Sequence, residues 1–253
     1  MRKILLAFAV TAAMVFVASG VALAITYGKA DGDRHPEVGA LVGTFGKQTY
    51  PYCSGTLVSR TVFLTAAHCK TGKKNVKVTF DEKYNARSKL YSGTFHASPL
   101  YPGATNDPHD IAVVVFDEPI KGIDPARLPA RNHLGDLPKD KRFTSVGYGS
   151  QEVTNAPGGH EFVYEDAREY SVGTLNSVTK SYLRISQNPA TGNGGTCYGD
   201  SGGPNFLGAG AAETDIVAST TITGDANCKS TNVTYRLDTM SARAFLRGYV
   251  TLP

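Results

Sequence analysis

Residues 197–204, with the sequence Cys-Tyr-Gly-Asp-Ser-Gly-Gly-Pro, place one serine between glycines and beside an acid. Glycine adopts positive φ readily, so this backbone can turn tightly and leave the Ser201 hydroxyl exposed. The same turn can direct neighbouring N–H groups into one space, which acyl transfer through a serine nucleophile requires. A flexible loop is the alternative for this segment, and the rest of the chain must decide between them.

A serine nucleophile needs a base that accepts its proton and a third group that orients the base. All six histidines precede Ser201. The Gly-x-Ser-x-Gly spacing also fits the nucleophile elbow of α/β-hydrolases, but there the histidine follows the serine, so a secreted esterase or lipase of that fold is disfavoured. His68 is the outstanding candidate, because it ends an apolar run that begins at Val62 and it precedes Cys69. A core histidine with backbone partners is the alternative.

Asp110 is the candidate for the orienting acid. It precedes the apolar run 111–116, so its carboxylate is expected to be partly buried, and a buried charge requires a partner. The imidazole of His68 would be such a partner. The alternatives are that Asp110 caps a loop end, or that Asp107 or His109 is the functional group.

The composition indicates a globular all-β protein. With 253 residues, 41% hydrophobic and 19% charged, the chain can bury a sizeable core. The formal net charge is +4 and no basic run is present, so nucleic-acid binding is unsupported. Short β-branched or alternating runs recur between turn signals, which predicts a sandwich or barrel. The predicted strands are 39–43, 55–59, 61–66, 76–80, 91–96, 111–116, 143–147, 169–175, 182–186, 215–223 and 233–237.

Two further segments interrupt this pattern. The proline-containing stretch 120–138 is predicted to connect two halves of similar size. Residues 239–250 are predicted to form a helix with Asp238 as its N-cap. Its expected apolar stripe consists of Met240, Ala244, Leu246 and Tyr249.

Residues 1–24 have the pattern of a secretory signal peptide. Arg2 and Lys3 precede an apolar stretch, and Ala22-Leu23-Ala24 provides a small-x-small cleavage site. An uncleaved membrane anchor is the alternative. After cleavage we expect a secreted, extracellular protein without stable membrane association.

Export implies an oxidising compartment in which the four cysteines can pair. Four cysteines allow three connectivities, and the sequence alone does not choose among them. A zinc site is a weak competitor, because no Cys-x-x-Cys spacing is present and no histidine lies at ligand spacing.

Three stretches together resemble the signatures of the trypsin/chymotrypsin-like serine proteases. They are residues 65–69 (Thr-Ala-Ala-His-Cys), 110–112 (Asp-Ile-Ala) and 199–204 (Gly-Asp-Ser-Gly-Gly-Pro), in the order that the family has. The resemblance covers essentially all of residues 25–253. It implies two six-stranded antiparallel β-barrels, the first in 25–125 and the second, with a short C-terminal helix, in 126–253.

The resemblance also implies a role for each signature residue. Ser201 would be the nucleophile, His68 the general base and then acid, and Asp110 the group that orients His68. The backbone N–H groups of Gly199 and Ser201 would form the oxyanion hole. The implied disulfides are Cys53–Cys69 and Cys197–Cys228. No cofactor or metal is implied.

Cleavage after Ala24 would expose Ile25, followed by Thr-Tyr-Gly, similar to the activated N-terminus of the family. There the new amino group pairs with the acid before the nucleophile, here Asp200, and orders the oxyanion loop. We therefore expect signal peptidase itself to produce the active form. The alternative is that Asp200 merely caps a turn.

The resemblance places a primary specificity pocket around five residues. Its floor would be Gly195, which has no side chain to pair with a cationic substrate, followed by Thr196. Ser219 and Thr221 would bound the segment that pairs with substrate backbone, and Val233 would crowd the far wall. A neutral, rather small pocket favours small or apolar side chains over Lys or Arg.

The sequence thus predicts a secreted, monomeric serine endopeptidase that acts on proteins or peptides. The alternative function is a catalytically silent binding protein with the protease fold.

Overall fold

The computed structural model describes residues 25–103, 108–150, 154–156 and 159–253. The predicted signal peptide and Asp107 lie outside these residues. None of the helices within the described ranges combines the length and the apolar composition that crossing a bilayer requires.

The described chain consists mainly of strands. In chain order the elements are β1 Lys29–Ala30, β2 Val38–Phe45, β3 Gln48–Ser59, β4 Val62–Thr65, β5 Asn75–Thr79, β6 Tyr91–Ala97, β7 Ala112–Phe116, β8 Arg142–Gly147, β9 Thr154–Ala156, β10 Gly159–Glu161, β11 Glu169–Val178, β12 Tyr182–Ser186, β13 Pro204–Leu207, β14 Val217–Gly224, β15 Thr231–Arg236 and the helix α1 Met240–Leu246.

Strands β2 to β7 form the first barrel, which closes in the order β2-β3-β4-β7-β6-β5 with antiparallel pairing throughout. Residues alternate between the two faces of a strand, so β5 buries Val76 and Val78 and exposes Asn75 and Lys77. The inward residues form one apolar cluster that includes Phe63 and its neighbours. This packing holds the ends of β4 and β7 side by side.

The second barrel runs β8-β11-β12-β15-β14-β13 and closes where β13 pairs with β8. Its pairings are also antiparallel, and β1 adds to the outer edge at β11. The predicted architecture of two six-stranded antiparallel barrels with a short C-terminal helix is therefore confirmed.

The interior of the second barrel is partly polar. The fully buried Asn205 accepts hydrogen bonds from the Ser145 hydroxyl at 2.6 Å and from Asn232 Nδ2 at 3.0 Å. Its own Nδ2 donates to the hydroxyl of Thr221 at 3.1 Å. Buried polar groups are tolerated when they are paired in this way. The network links the barrel wall to Thr221 on β14.

Several details differ from the predicted elements. The short strands β1, β9 and β10 were not predicted. β13 was not predicted either, because its first residue, Pro204, follows a glycine-rich segment; proline is nevertheless compatible with the first position of a strand. The helix begins after Thr239, whose hydroxyl accepts the N–H of Ala242 at 3.2 Å. Asp238 does not cap it, because its carboxylate binds Arg236 at 2.8 and 3.0 Å.

The helix also ends earlier and presents a different face from the predicted stripe. It ends at Leu246, and Met240 is 71% exposed. The buried positions are Ala242, Arg243 and Leu246. Of the predicted stripe, Leu246 is buried, whereas Met240 and Ala244 are exposed.

A buried ionic network fastens the segment before β2 to both barrels. His35 lies between two carboxylates, with Nδ1 against Asp31 and Nε2 at 2.7 Å from Glu213 Oε1. Arg168 donates to Asp31 Oδ2 at 2.8 Å and to the carbonyl oxygen of Val38 at 3.1 Å. Burial alone would lower the pKa of His35, but the hydrogen bonds to the two carboxylates raise it to about 9.

This raised pKa makes the stability of the fold depend on pH. Charged His35 stabilises the folded state fully below its unfolded pKa, and this contribution is lost as the pH rises through about 9. We expect the difference in free energy of unfolding between wild type and His35→Gln to shrink by on the order of 3 kcal/mol between pH 6 and pH 10. Urea denaturation measures it. His133→Gln, at an exposed histidine, is the control, and a pH-independent difference for His35→Gln would contradict the assignment.

Candidate active site

The His68 imidazole is held by Asp110 from two directions. Its Nδ1 lies 2.7 Å from Asp110 Oδ2, and the backbone N–H of His68 donates to Asp110 Oδ1 at 3.0 Å. Asp110 lies two residues before β7 and its side chain is fully buried, whereas a quarter of the His68 side chain is exposed. An ionised carboxylate only accepts hydrogen bonds, so Nδ1 of the neutral ring carries the hydrogen and Nε2 is left as an acceptor.

A disulfide fixes the backbone beside this imidazole. Cys53 on β3 is bonded to Cys69, which closes the short turn Ala67–Cys69 after β4. The Sγ atoms and a ring nitrogen of His68 lie within 4.8 Å of one another, but sulfurs joined in a disulfide offer no thiolate to a metal. The second disulfide joins Cys197 to Cys228. Both pairings are those that the resemblance implies.

Ser201 belongs to the second barrel but is bound to the first. The N–H of Ser54 on β3 donates to the Ser201 carbonyl oxygen at 2.8 Å, and Cys69 Sγ lies 3.7 Å from the same oxygen. The Thr65 hydroxyl, at the end of β4, donates to the Ser54 carbonyl at 2.8 Å. These contacts bring the serine next to the turn that carries His68.

No hydrogen bond joins the Ser201 hydroxyl to the His68 ring within the described ranges. Such bonds are often long in unliganded enzymes and tighten when substrate binds. Ser201 is partly exposed and lines a cavity at the protein surface. Its hydroxyl is therefore accessible to a substrate.

The backbone before Ser201 presents two unused donors. Gly199 has φ 99°, a conformation that favours glycine. Its carbonyl accepts from the Ser54 hydroxyl at 3.0 Å, and the Tyr198 carbonyl accepts the N–H of Ser150 at 2.7 Å. In the described structure, the N–H groups of Gly199 and Ser201 donate to no protein acceptor. Two such N–H groups can bind a developing oxyanion.

Asp200 is fully buried behind this loop. Its carboxylate accepts the N–H groups of Gly149 and Cys197, each at 2.8 Å. Burial raises its pKa to about 7 although both hydrogen bonds act in the opposite direction. Within the described ranges no side-chain cation pairs with it. A cation brought to this carboxylate would therefore favour its charged form.

The segment that follows the predicted cleavage site is docked into the second barrel. Ile25 is fully buried, and the carbonyl of Thr26 accepts the N–H of Gly195 at 2.9 Å. No hydrogen bond or ion pair joins Ile25 to Asp200 in this part of the structure. In the uncut chain the Ile25 nitrogen is a peptide N–H and carries no charge.

A cavity of about 280 Å³ adjoins Ser201. Of the five residues predicted for the specificity pocket, Thr196 and Thr221 line it. Gly195 lies behind the lining against Gln187, whose side chain occupies the space that a Cβ at Gly195 would need.

The other two predicted pocket residues lie elsewhere. Ser219 is fully buried and accepts a hydrogen bond from Thr234 at 2.7 Å. Val233 is partly buried and packs against an apolar cluster to which both barrels contribute. The backbone N–H and carbonyl of Thr221 are bound by Gly203 and Gly202 at 2.9 and 2.8 Å, so they are not available to pair with substrate. The cavity is instead bounded by the next residues of β14.

Three residues of the site were not identified from the sequence. Ser54 follows Cys53 directly, so its position beside the disulfide was a usable signal. Asp225 lines the cavity and comes three residues before Cys228, in a loop whose length departs from the family pattern. Gln187 left no signal, because an amide after a strand has many ordinary explanations.

Comparison with known proteins identifies the family. Residues 31–242 match the family model described as Trypsin. The chain belongs to the trypsin family. The matched residues thus form a trypsin-like serine protease domain, and they include every residue of the His68, Asp110 and Ser201 signatures.

Individual relatives are more distant. The chain is 28% identical over 183 residues to a protein named Trypsin from Saccharopolyspora erythraea, covering 67% of this chain and 75% of the relative. It is 28% identical over 185 residues to Trypsin from Phaedon cochleariae, covering 65% of this chain and 67% of the relative. It is 27% identical over 176 residues to Chymotrypsin from Phaedon cochleariae, covering 65% of this chain and 62% of the relative.

The close approach of the two barrels at Gly202 provides a test of the site's geometry. Gly202 has φ 84°, and a Cβ there would overlap Thr65 Oγ1 and the Ser54 carbonyl oxygen. Gly72 has φ 82° and open space around it. We expect Gly72→Ala to lower the free energy of unfolding by about 1–2 kcal/mol, and Gly202→Ala by more than about 3 kcal/mol because the overlap adds to the strain. Urea denaturation measures both, and equal losses would show that the barrels do not meet as described.

Proposed function

We propose that this chain is a secreted serine endopeptidase that hydrolyses peptide bonds through an acyl-enzyme on Ser201. One observation carries the proposal: the imidazole of His68, fixed by the buried Asp110, lies on the turn against which the backbone of Ser201 is bound. A base with a free ring nitrogen, an orienting carboxylate and a serine hydroxyl are the three groups that this chemistry requires.

In the proposed mechanism, Nε2 of His68 accepts the proton of the Ser201 hydroxyl as the oxygen attacks the substrate carbonyl carbon. The negative charge that develops on the carbonyl oxygen is bound by the N–H groups of Gly199 and Ser201. His68 then donates its proton to the leaving amine, and the peptide C–N bond breaks. Water, deprotonated by His68, hydrolyses the resulting ester and restores Ser201. Asp110 stabilises the charged imidazole throughout.

Substrates would be proteins or peptides whose side chain before the cleaved bond enters the cavity beside Ser201. Gly195 provides no acid, and the small or apolar preference predicted from the sequence was based on this residue. The neighbouring Gln187 is also neutral. Asp225 in the cavity wall is the feature that this prediction did not consider.

We also propose that the protein is exported and acts as a monomer. The apolar, small-residue pattern of residues 1–24 supports removal of a signal peptide. The two disulfides support an oxidising compartment. The proposed domains, 25–125 and 126–253, meet within the strand-free stretch between β7 and β8.

A second candidate function is a catalytically silent binding protein with the same fold. Two observations favour it: the Ser201 hydroxyl does not bind the His68 ring, and Asp200 has no cationic side chain among the described contacts. Both observations are also expected of an enzyme that is uncut and unliganded.

Covalent labelling separates the two functions. We expect a fluorophosphonate to label wild type at Ser201 and to fail with Ser201→Ala and His68→Ala, because the hydroxyl and its base are both needed. Hydrolysis of a casein substrate should fall by at least about 10,000-fold in Ser201→Ala. Ser230→Ala, at an exposed serine, should react like wild type. A folded wild-type protein that begins at Ile25 and is not labelled would support the binding protein instead.

The N-terminus of the mature protein provides a further test of the proposed function. A protein that begins at Ile25 carries a free ammonium, which would pair with Asp200 and compensate its buried charge. We expect this form to hydrolyse casein at least about tenfold faster than one with two extra residues before Ile25. Asp200→Asn should remove the difference, whereas Asp33→Asn, at an exposed acid, should preserve it.

Equal activity of the long and short forms would contradict this role of Ile25. N-terminal sequencing of the secreted protein tests the cleavage site independently. A first residue downstream of Ile25 would rule out activation by signal peptidase.

A further inference from the structure

Asp225 contributes a carboxylate to the cavity beside Ser201, and the resemblance to the family did not predict it. The cavity wall is formed by β14 and by the loop that leads to Cys228, and this loop contributes Asp225. Among the described residues that line the cavity, Asp225 is the only acidic one and none is basic. The charge of the cavity therefore depends on this side chain.

The residues behind the cavity lining at Gly195, where the resemblance places the pocket floor, supply no charge. Gln187 is buried against Gly195, and its Oε1 accepts the N–H of Thr196 at 2.9 Å. Its Nε2 is directed at Asp225 Oδ1, 3.4 Å away. The Gln187 side chain thus occupies the space that a side chain at residue 195 would need, and it links the backbone of Thr196 to the Asp225 carboxylate.

Backbone donors hold the Asp225 carboxylate in place. Oδ1 accepts the N–H groups of Ser230 and Thr231, each at 2.8 Å, and Oδ2 accepts the N–H of Lys229 at 3.1 Å. A carboxylate oxygen can accept about two hydrogen bonds. Oδ2 therefore retains capacity for a further donor.

The carboxylate remains negative at neutral pH. Burial raises the pKa of Asp225, but the N–H groups of residues 229–231 and the Gln187 amide hold it below its ordinary value. In the described part of the chain no side-chain cation lies within ion-pair distance of it. The hydrogen bonds orient the charge and do not cancel it.

We propose that Asp225 determines the primary specificity of this protease by drawing a cationic side chain, lysine or arginine, into the cavity. The proposal rests on the proposed function, and it replaces the small or apolar preference that was predicted from Gly195. The acid, Asp225, lies in the loop between β14 and β15. Gly195 occupies the position at which the family resemblance would place an acid. A long cationic side chain that enters beside Ser201 would place its charged end at the wall formed by this loop.

The test compares two peptide substrates that differ only in the residue before the cleaved bond. Norleucine matches the unbranched side chain of lysine without the ammonium group, so the ratio of kcat/KM for lysine over norleucine isolates the charge. We expect a ratio of at least about ten for the protein that begins at Ile25. Asp225→Asn keeps the shape and one acceptor oxygen, and it should reduce the ratio to near one.

Asp33→Asn removes an exposed acid elsewhere and should leave the ratio unchanged. A wild-type ratio of one or less, or a ratio that Asp225→Asn retains, would overturn the proposal. If Asp225→Asn does not fold, a wild-type ratio of one or less still overturns the proposal.

A binding measurement distinguishes failure of this proposal from failure of the proposed function. Benzamidine is a small planar cation that can occupy the cavity without any turnover, and calorimetry reports its affinity. We expect affinity at least about tenfold weaker in Asp225→Asn than in wild type. Loss of hydrolysis and labelling with this difference intact would overturn only the enzyme assignment. Full hydrolysis of norleucine peptides without benzamidine binding would overturn only the role of Asp225.

Discussion

The geometry of the candidate site depends on the hydrogen bonds that Ser54 makes. It is fully buried on β3, immediately after the disulfide residue Cys53. Its N–H binds the Ser201 carbonyl, and its hydroxyl donates to the Gly199 carbonyl while accepting the N–H of Tyr148. Ser54 thus joins the first barrel to two segments of the second, one with Gly199 and Ser201 and the other with Tyr148.

This junction explains how two separately closed barrels can share one site. Hydrogen bonds join the two barrels at several places, among them those from Arg168 to the carbonyl oxygens of Val38 and Phe80. The bond from Ser54 to Ser201 lies directly beside the turn that carries His68, and the Thr65 hydroxyl holds the Ser54 carbonyl within the first barrel. Because a misplacement of about 1 Å can cost roughly 100-fold in rate, a buried and fully bonded junction is well suited to positioning a serine and an imidazole.

The buried carboxylates of Asp31, Asp110 and Asp200 have different partners. Asp31 is paired with Arg168 and His35, and Asp110 is bound by the backbone and ring of His68. Asp200 has only two backbone N–H groups, and burial raises its pKa to about 7. The first two charges stabilise the positions of cationic or polar partners. Asp200 is therefore the carboxylate whose charge would be affected most by a new ammonium group nearby.

The sequence predicted the features that local patterns encode. The β-branched runs predicted eleven segments that coincide with strands, and the order of His68, Asp110 and Ser201 predicted their family. It did not predict that Asp238 binds Arg236 and leaves the helix cap to Thr239, because that choice depends on a tertiary contact. It did not indicate that Asp225 lines the cavity, because the loop that carries this residue has no fixed register in the sequence. Ser219 is buried and Val233 is partly buried, so neither lines that cavity.

A crystal structure of the protein after reaction with a fluorophosphonate would test the central claim most directly. We expect a phosphorus atom bonded to Ser201 Oγ, with one phosphoryl oxygen about 2.7–3.1 Å from the N–H groups of Gly199 and Ser201. The His68 ring should face the adduct, with Asp110 still at its Nδ1. An adduct on Ser201 whose oxygens point away from both N–H groups, or a His68 ring turned from Asp110, would contradict it.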